Sequence, residues 1–139
     1  MSAGFVNLSW KNGAGKTIMS RFDDRFPERA AIKAYAFDNA RLTASQIPLV
    51  YANLEKHTNF HSLYACESPW EDWAESFATY FHVIIDQRPW QVVIEQADRP
   101  DTVVESCWSQ ARCRDKEVFV REWFENPGVR GLESGISKR

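Results

Sequence analysis

Residues 68–82 read Ser68-Pro69-Trp70-Glu71-Asp72-Trp73-Ala74-Glu75-Ser76-Phe77-Ala78-Thr79-Tyr80-Phe81-His82, a stretch that predicts a helix with a well-marked start. The Ser68 side chain can cap the N–H groups of the first turn, and Pro69 stands where its missing N–H costs nothing. Glu71, three residues after Ser68, completes the pattern of a capping box. We expect this central helix to span about residues 68–86, because Arg88-Pro89 then ends it.

The predicted helix has one broad apolar face with a short polar edge. Its apolar residues recur at helical spacing and are Trp70, Trp73, Ala74, Phe77, Ala78, Phe81, Ile84 and Ile85. The opposite face carries the polar residues Asp72, Ser76 and Thr79. Glu71, Glu75 and His82 fall within about 40° of one another at the edge of the apolar face. From the pattern alone, this edge is either a candidate site or an ordinary solvated helix edge.

The length and composition of the chain limit what it can be. Its 139 residues suffice for one domain, so we expect a single domain over residues 1–130 and a disordered tail over residues 131–139. Seventeen basic and nineteen acidic residues give a net charge of -2, which offers no support for a nucleic-acid surface. No apolar run is long enough to cross a bilayer, and the first ten residues do not form a signal peptide pattern.

The sequence around the central helix predicts an α+β fold that is mainly helical. Residues 5–10 alternate as in a short strand or an extended arm, and residues 30–37 fit either a strand or a short helix. Residues 43–46 form a second capping-box pattern before a helix that ends near Lys56. Residues 90–105 predict a β-hairpin, and residues 115–125 predict a last helix capped by Asp115.

The motifs that usually carry metal or nucleotide chemistry are incomplete. A catalytic zinc site needs three protein ligands, often two from His-Glu-x-x-His, and these 139 residues contain no such motif. His57 and His61 have its spacing, but Thr58 stands where the general base belongs and the segment lacks helical periodicity. Gly15-Lys16-Thr17 imitates the end of a phosphate-binding loop, yet Trp10 occupies the position of the first glycine.

The three cysteines leave two alternatives open. Cys107 and Cys113 are close enough in sequence to pair across a short loop with Cys66 left over, or all three are reduced thiols. A nucleophilic pair would need Cys66 or Cys107 beside His61 or His82, and no family pattern supports one.

Residues 62–65, Ser62-Leu63-Tyr64-Ala65, and residues 69–77 resemble zinc metallopeptidases of the gluzincin type. The resemblance is closest to a group of exported bacterial zinc peptidases whose motif reads Glu-Asp-Phe/Trp-Ala-Glu-Thr/Ser-Phe. It implies that Glu71 is a zinc ligand and that Glu75 steadies a ligand histidine. It further implies that Tyr64 stabilises the oxyanion that develops on a peptide or protein substrate. His82 resembles a histidine that recurs late in this helix, where it supports the ligands or contacts the substrate.

The same resemblance implies that the chain is an incomplete enzyme. In the family, His-Glu-x-x-His stands before a segment like residues 5–10, so we interpret the chain as the C-terminal part of a peptidase. Zinc would be bound in the complete parent, and this chain alone is expected to be inactive. The side of the central helix with Glu71 and Phe77 would then lack a packing partner and expose aromatic surface.

Two other interpretations stay open. The first is a non-catalytic interaction module that kept the fold and lost the site. The second is an unrelated small α+β protein in which Glu71 only caps its helix. The exported relatives suggest the periplasm or the cell surface, although no signal peptide is present.

Overall fold

The computed structural model describes residues 3–15, 17–32 and 42–126, which form an α+β fold as predicted. Its helices and strands, in chain order, are α1 (Ala3–Ser9), β1 (Trp10–Asn12), β2 (Ile18–Ser20), α2 (Ile47–His57), α3 (Pro69–Tyr80), β3 (Gln91–Ile94), β4 (Thr102–Glu105) and α4 (Arg114–Glu125). Short 3-10 turns lie at Pro27–Ala31, Ala44–Gln46, Cys107–Ser109 and Ala111–Cys113, and a π-helical turn, Phe81–Ile85, continues α3.

The N-terminal segment is a helix, so the prediction of a strand or extended arm was wrong. Phe5 and Ser9 are buried one turn apart, which is the spacing of a helical face rather than of a strand. α1 contacts both α3 and α4. The strand pairing begins only at Trp10, which lies opposite Ser20 in the β1–β2 hairpin. Gly15 at the tip of this hairpin has φ +69, a conformation that favours glycine.

The remaining elements agree closely with their predicted bounds. α2 follows the predicted capping box of Thr43 and Gln46. The predicted hairpin is formed by β3 and β4, with Val92 opposite Val104. α4 begins at Arg114 directly after Cys113, so the prediction that Asp115 caps it was wrong, and Asp115 lies in its first turn. Residues 33–37 and the predicted tail lie outside the described residues.

The central helix α3 buries its polar face, and Trp73 of its apolar face also packs against the core. Its buried residues are Pro69, Asp72, Ser76, Thr79 and Tyr80. A line of exposed residues that we call the apolar stripe runs along the other side of α3 and its π-helical turn, and consists of Trp70, Ala74, Ala78, Phe81 and Ile85. Trp70 is 65% exposed and Ile85 is 55% exposed, so exposed apolar surface is present beside Glu71. The expectation was wrong for Phe77, which is partly buried and packs on Trp123 and Phe124 of α4, with ring centroids 5.7 Å and 5.1 Å apart.

A buried ion pair explains how a polar helix face can lie in the core. Asp72 accepts a charged hydrogen bond from Lys116 of α4, and both side chains are wholly buried. The second carboxylate oxygen of Asp72 accepts a hydrogen bond from Trp10 Nε1 at 3.0 Å. The Lys116 ammonium also lies over the rings of Phe5 and Phe60, at 5.5 Å and 5.0 Å. A buried charge is tolerated when it is paired and fully hydrogen-bonded, and here the pair joins α1–β1, α3 and α4.

Two clusters of buried apolar side chains form the core. The first consists of Trp10, Phe26, Val50, Leu54, Phe60, Ala65 and Cys66. The second consists of Phe5, Tyr80, Cys107, Trp108, Cys113 and Val120. No helix among the described residues is long and apolar enough to cross a membrane.

Candidate functional site

The start of α3 fixes the position of Glu71. Ser68 has an extended backbone, and its Oγ accepts a hydrogen bond from the Glu71 N–H at 3.2 Å. The Ser68 carbonyl oxygen accepts the first helical hydrogen bond, from the Asp72 N–H at 2.9 Å. Pro69 occupies the first helical position, as predicted. Glu71 therefore lies in the first turn of α3, half-buried, next to the exposed Trp70 of the apolar stripe.

Glu75 is held one turn further on by the loop that carries Tyr64. Ser62 Oγ donates a hydrogen bond to Glu75 Oε2 at 2.7 Å, and the same Oγ accepts one from the Ala65 N–H at 3.0 Å. These two bonds tie the loop to the helix edge. Tyr64, two residues after Ser62, is 39% exposed on this loop. The structure thus links three features of the predicted site, which are the loop of Tyr64, the carboxylate of Glu75 and the helix of Glu71.

The electrostatic surroundings of Glu75 include the Tyr51 phenol of α2. Burial raises the pKa of Tyr51, and the nearby Cys66 and Glu75 raise it further. A carboxylate close to a phenol disfavours the phenolate, so Tyr51 keeps its proton at neutral pH.

His82 lies on the same helix edge but is engaged at the end of the helix. Its Nε2 is 3.1 Å from the Pro89 carbonyl oxygen, in the segment that leads to β3. The π-helical turn that contains His82 ends at Ile85, and the Arg88 N–H donates to the His82 carbonyl oxygen at 2.9 Å. This contact anchors the chain where it leaves the helix.

A second group of potential ligands lies in the core and was missed by the sequence analysis. Cys107 and Cys113 form a disulfide, which selects one of the two alternatives left open above, and Cys66 is an unpaired buried thiol. His61 Nδ1 is 2.9 Å from Cys107 Sγ. A cysteine–histidine contact of this kind had no support from sequence, because 46 residues separate its two members.

His61 is held in a neutral state by its surroundings. Burial lowers the pKa of His61 well below its usual range, and the positive charges of Lys116 and Arg112 lower it further. Its ring packs on Trp108 with 4.0 Å between the ring centroids. His57, the last residue of α2, is not part of the group that His61 forms with the two cysteines.

The described residues do not by themselves form a catalytic zinc site around Glu71. Such a site needs three protein ligands and an open position. Within residues 3–15, 17–32 and 42–126, the only group of three histidine, cysteine or acidic side chains close enough to share a metal ion is His61, Cys107 and Cys113. One carboxylate gives neither the affinity nor the geometry that zinc requires, so Glu71 can act as a ligand only with donors from elsewhere.

Glu71 and Glu75 lie on one helix, next to a loop that carries a tyrosine. These are the features by which the sequence resembles zinc metallopeptidases. A family model described as "Putative zinc-binding metallo-peptidase" matches residues 43–125, which is more than half of the chain. The chain therefore belongs to this family of zinc-binding metallopeptidases. The match includes α2, α3, the β3–β4 hairpin and α4. Neither the curated proteins nor the solved structures contain a match to the chain.

Proposed function

We propose that this chain is the part of a gluzincin-type zinc peptidase that supplies Glu71 as the zinc ligand of α3. In this proposal Glu75 orients a ligand histidine, and Tyr64 donates a hydrogen bond to the peptide carbonyl as its oxygen gains charge. The two histidines and the general base come from a helix outside these 139 residues. Without that helix the chain is inactive.

The observation that carries the proposal is the arrangement of the α3 edge. Glu71 and Glu75 lie one turn apart at the border of the apolar stripe, and the Ser62–Glu75 hydrogen bond of 2.7 Å fixes the Tyr64 loop against the same helix. A helix that packed on the stripe would bury Trp70 and Ile85, which are now 65% and 55% exposed. It would also bring its own side chains next to Glu71, because the stripe and Glu71 are adjacent on α3.

The test is zinc content and casein hydrolysis of the protein expressed from its complete genomic reading frame. We expect one tightly bound zinc, and Glu71→Ala should remove both the zinc and the activity. Glu75→Gln should keep the fold but weaken zinc binding or activity by about 10- to 100-fold, as replacements of such outer partners do. Glu95→Ala, an exposed acidic residue just after β3, is the matched control and should change neither quantity.

A non-catalytic interaction module predicts a different result in the same experiment. It would bind no zinc through Glu71, and Glu71→Ala would behave like Glu95→Ala. A reading frame without His-Glu-x-x-His, together with no zinc in the purified protein, would overturn the peptidase proposal in favour of such a module.

A further inference from the structure

The group of His61, Cys107 and Cys113 has the composition and the burial of a metal site. Its three ligand atoms lie within 4.8 Å of one another. His61 is 2% exposed, and both cysteines are 0% exposed. Around a zinc ion, sulfur and nitrogen ligands at about 2.3 Å and 2.0 Å lie roughly 3.3–3.8 Å from each other. In the oxidised chain the two sulfurs are bonded to each other, so they can reach this spacing around one metal ion only after the disulfide is opened.

The segments that carry these residues are fixed to each other by other bonds. Arg112, next to Cys113, donates from Nη1 to the Phe60 carbonyl oxygen at 2.8 Å, beside His61. Trp108, next to Cys107, packs on the His61 ring and donates from Nε1 to Thr79 Oγ1 of α3 at 3.0 Å. These contacts do not depend on the disulfide, so His61 should remain near the two sulfurs after the disulfide is opened.

We propose that His61, Cys107 and Cys113 form a redox-gated site for a thiophilic metal ion, Zn²⁺ or Cu⁺, which exists only when the disulfide is reduced. Thiolate and imidazole ligands suit both ions. The Cα atoms of the two cysteines are 5.7 Å apart, and side-chain rotation lets the freed sulfurs take up the spacing around a metal. The Asn59 carbonyl oxygen, 3.5 Å from Cys113 Sγ, is a further atom that could act as a metal ligand beside these three residues.

The redox step balances with a dithiol as reductant. The dithiol gives two electrons and two protons to the Cys107–Cys113 bond and itself becomes a disulfide, so that the chain then carries two thiols. Metal binding replaces the two thiol protons, which leave to solvent. In the reverse direction a disulfide oxidant takes two electrons from the two thiolates and two protons from solvent and becomes a dithiol, while the Cys107–Cys113 bond re-forms and the metal is released.

The test is metal binding by the 139-residue chain in its oxidised and reduced forms. A phosphine reductant is used because it competes for metal less than a dithiol does. With Co²⁺ as the probe, we expect one equivalent bound to the reduced chain, with a sulfur-to-cobalt charge-transfer band that the oxidised chain lacks. Parallel titrations with Zn²⁺ and with Cu⁺ decide which of the two ions is preferred.

Variants separate this site from other thiols and from Glu71. The double change Cys107→Ser/Cys113→Ser should lower affinity at least about 100-fold, since it removes both thiolates. Cys66→Ser and Glu71→Ala should bind the metal as the wild type does. If Glu71 proves not to be a zinc ligand, the proposed site at His61, Cys107 and Cys113 is therefore unaffected. Equal binding by the oxidised and reduced chains, or by the double variant, would overturn the proposal.

A second measurement needs no variant and covers the case in which the double change unfolds the chain. In the reduced wild type, bound metal should slow alkylation of Cys107 and Cys113 and leave the rate at Cys66 unchanged, as read by mass spectrometry. Unchanged rates at all three cysteines with saturating metal would exclude the site.

Discussion

At the residue scale, Cys66 shows how the core controls the chemistry of one side chain. Its thiol donates a hydrogen bond to the Leu63 carbonyl oxygen at 2.8 Å. Burial raises the pKa of Cys66 from its ordinary value of 9.0 to about 12, against a smaller opposite effect of Arg29. A thiol is reactive as the thiolate, so Cys66 should be inert in the folded chain at neutral pH.

The raised pKa of Cys66 predicts a loss of stability at alkaline pH. Above pH 9.0 the unfolded chain releases the Cys66 proton while the folded chain keeps it until about pH 12. The free energy of unfolding should therefore fall as pH rises through this window, by about 1.4 kcal/mol per pH unit from this group. The measurement is urea unfolding at several pH values between roughly 8 and 10.5, a range in which tyrosines and lysines also titrate, so the contribution of the thiol is read from the comparison with a variant that lacks it.

The control for this prediction is Cys66→Ala, which removes the titrating thiol from both states. The wild type should lose stability faster than this variant as pH rises. Parallel stability curves for the two proteins would mean that the thiol ionises as easily inside the fold as outside it.

Also at the residue scale, the sequence predicted the roles of some residues and missed those of others. The capping role of Ser68 is confirmed, because a cap depends on the next three residues and is readable locally. The contact between His61 and Cys107 joins positions 46 residues apart, and only the folded chain brings them together. The roles of Glu71, Glu75, Tyr64 and His82 remain predictions, and the experiments above test those of Glu71 and Glu75.

At the element scale, the orientation of α3 was the feature that periodicity alone could not predict. Its polar face is buried because Asp72 meets Lys116, a partner 44 residues further along the chain. Hydrophobic spacing identifies a helix and its faces, but it does not tell which face a distant partner covers. The same limit applies to α1, since seven residues are too few for their pattern to separate a helix from a strand.

The buried pair between α3 and α4 should be sensitive to the loss of one partner. Asp72→Asn leaves the Lys116 ammonium buried without a carboxylate, and we expect the free energy of unfolding to fall by about 3–5 kcal/mol. Adding Lys116→Met to Asp72→Asn should recover much of this loss, because the uncompensated charge is then removed. Denaturant unfolding of the single and double variants measures both effects.

An exposed ion pair on α4 supplies the matched control. Arg121 and Glu117 are 3.9 Å apart and partly exposed, so Glu117→Gln should cost less than about 1 kcal/mol. If Asp72→Asn costs no more than Glu117→Gln, the buried pair does not stabilise the junction of α1–β1, α3 and α4.

At the scale of the whole molecule, the apolar stripe is a large exposed surface on a small chain. Trp70 and Ile85 expose more than half of their surface, and contiguous patches of this kind promote association. We expect the purified chain to self-associate as its concentration rises. Trp70→Glu should shift it toward the monomer without lowering its stability, since Trp70 makes little contact with the core. Analytical ultracentrifugation measures the distribution of species.

The β3–β4 hairpin offers a control for this prediction outside the apolar stripe. Val93 and Val103 lie opposite each other and are each 51% exposed. Val93→Glu should leave self-association unchanged if the stripe is the surface responsible. Equal effects of Val93→Glu and Trp70→Glu would point instead to general surface hydrophobicity, and a wild type that stays monomeric would contradict the prediction.

The network of Trp10, Asp72 and Lys116 also has a consequence for how fast the molecule folds and unfolds. Asp72 stands 62 residues from Trp10 and 44 residues from Lys116 along the chain. Each contact closes a long loop, and the chain must lose the conformational entropy of that loop before the contact can form. The network should therefore form late, after the rate-limiting barrier to folding. Its loss should accelerate unfolding more than it slows folding, and should thereby shorten the lifetime of the folded molecule.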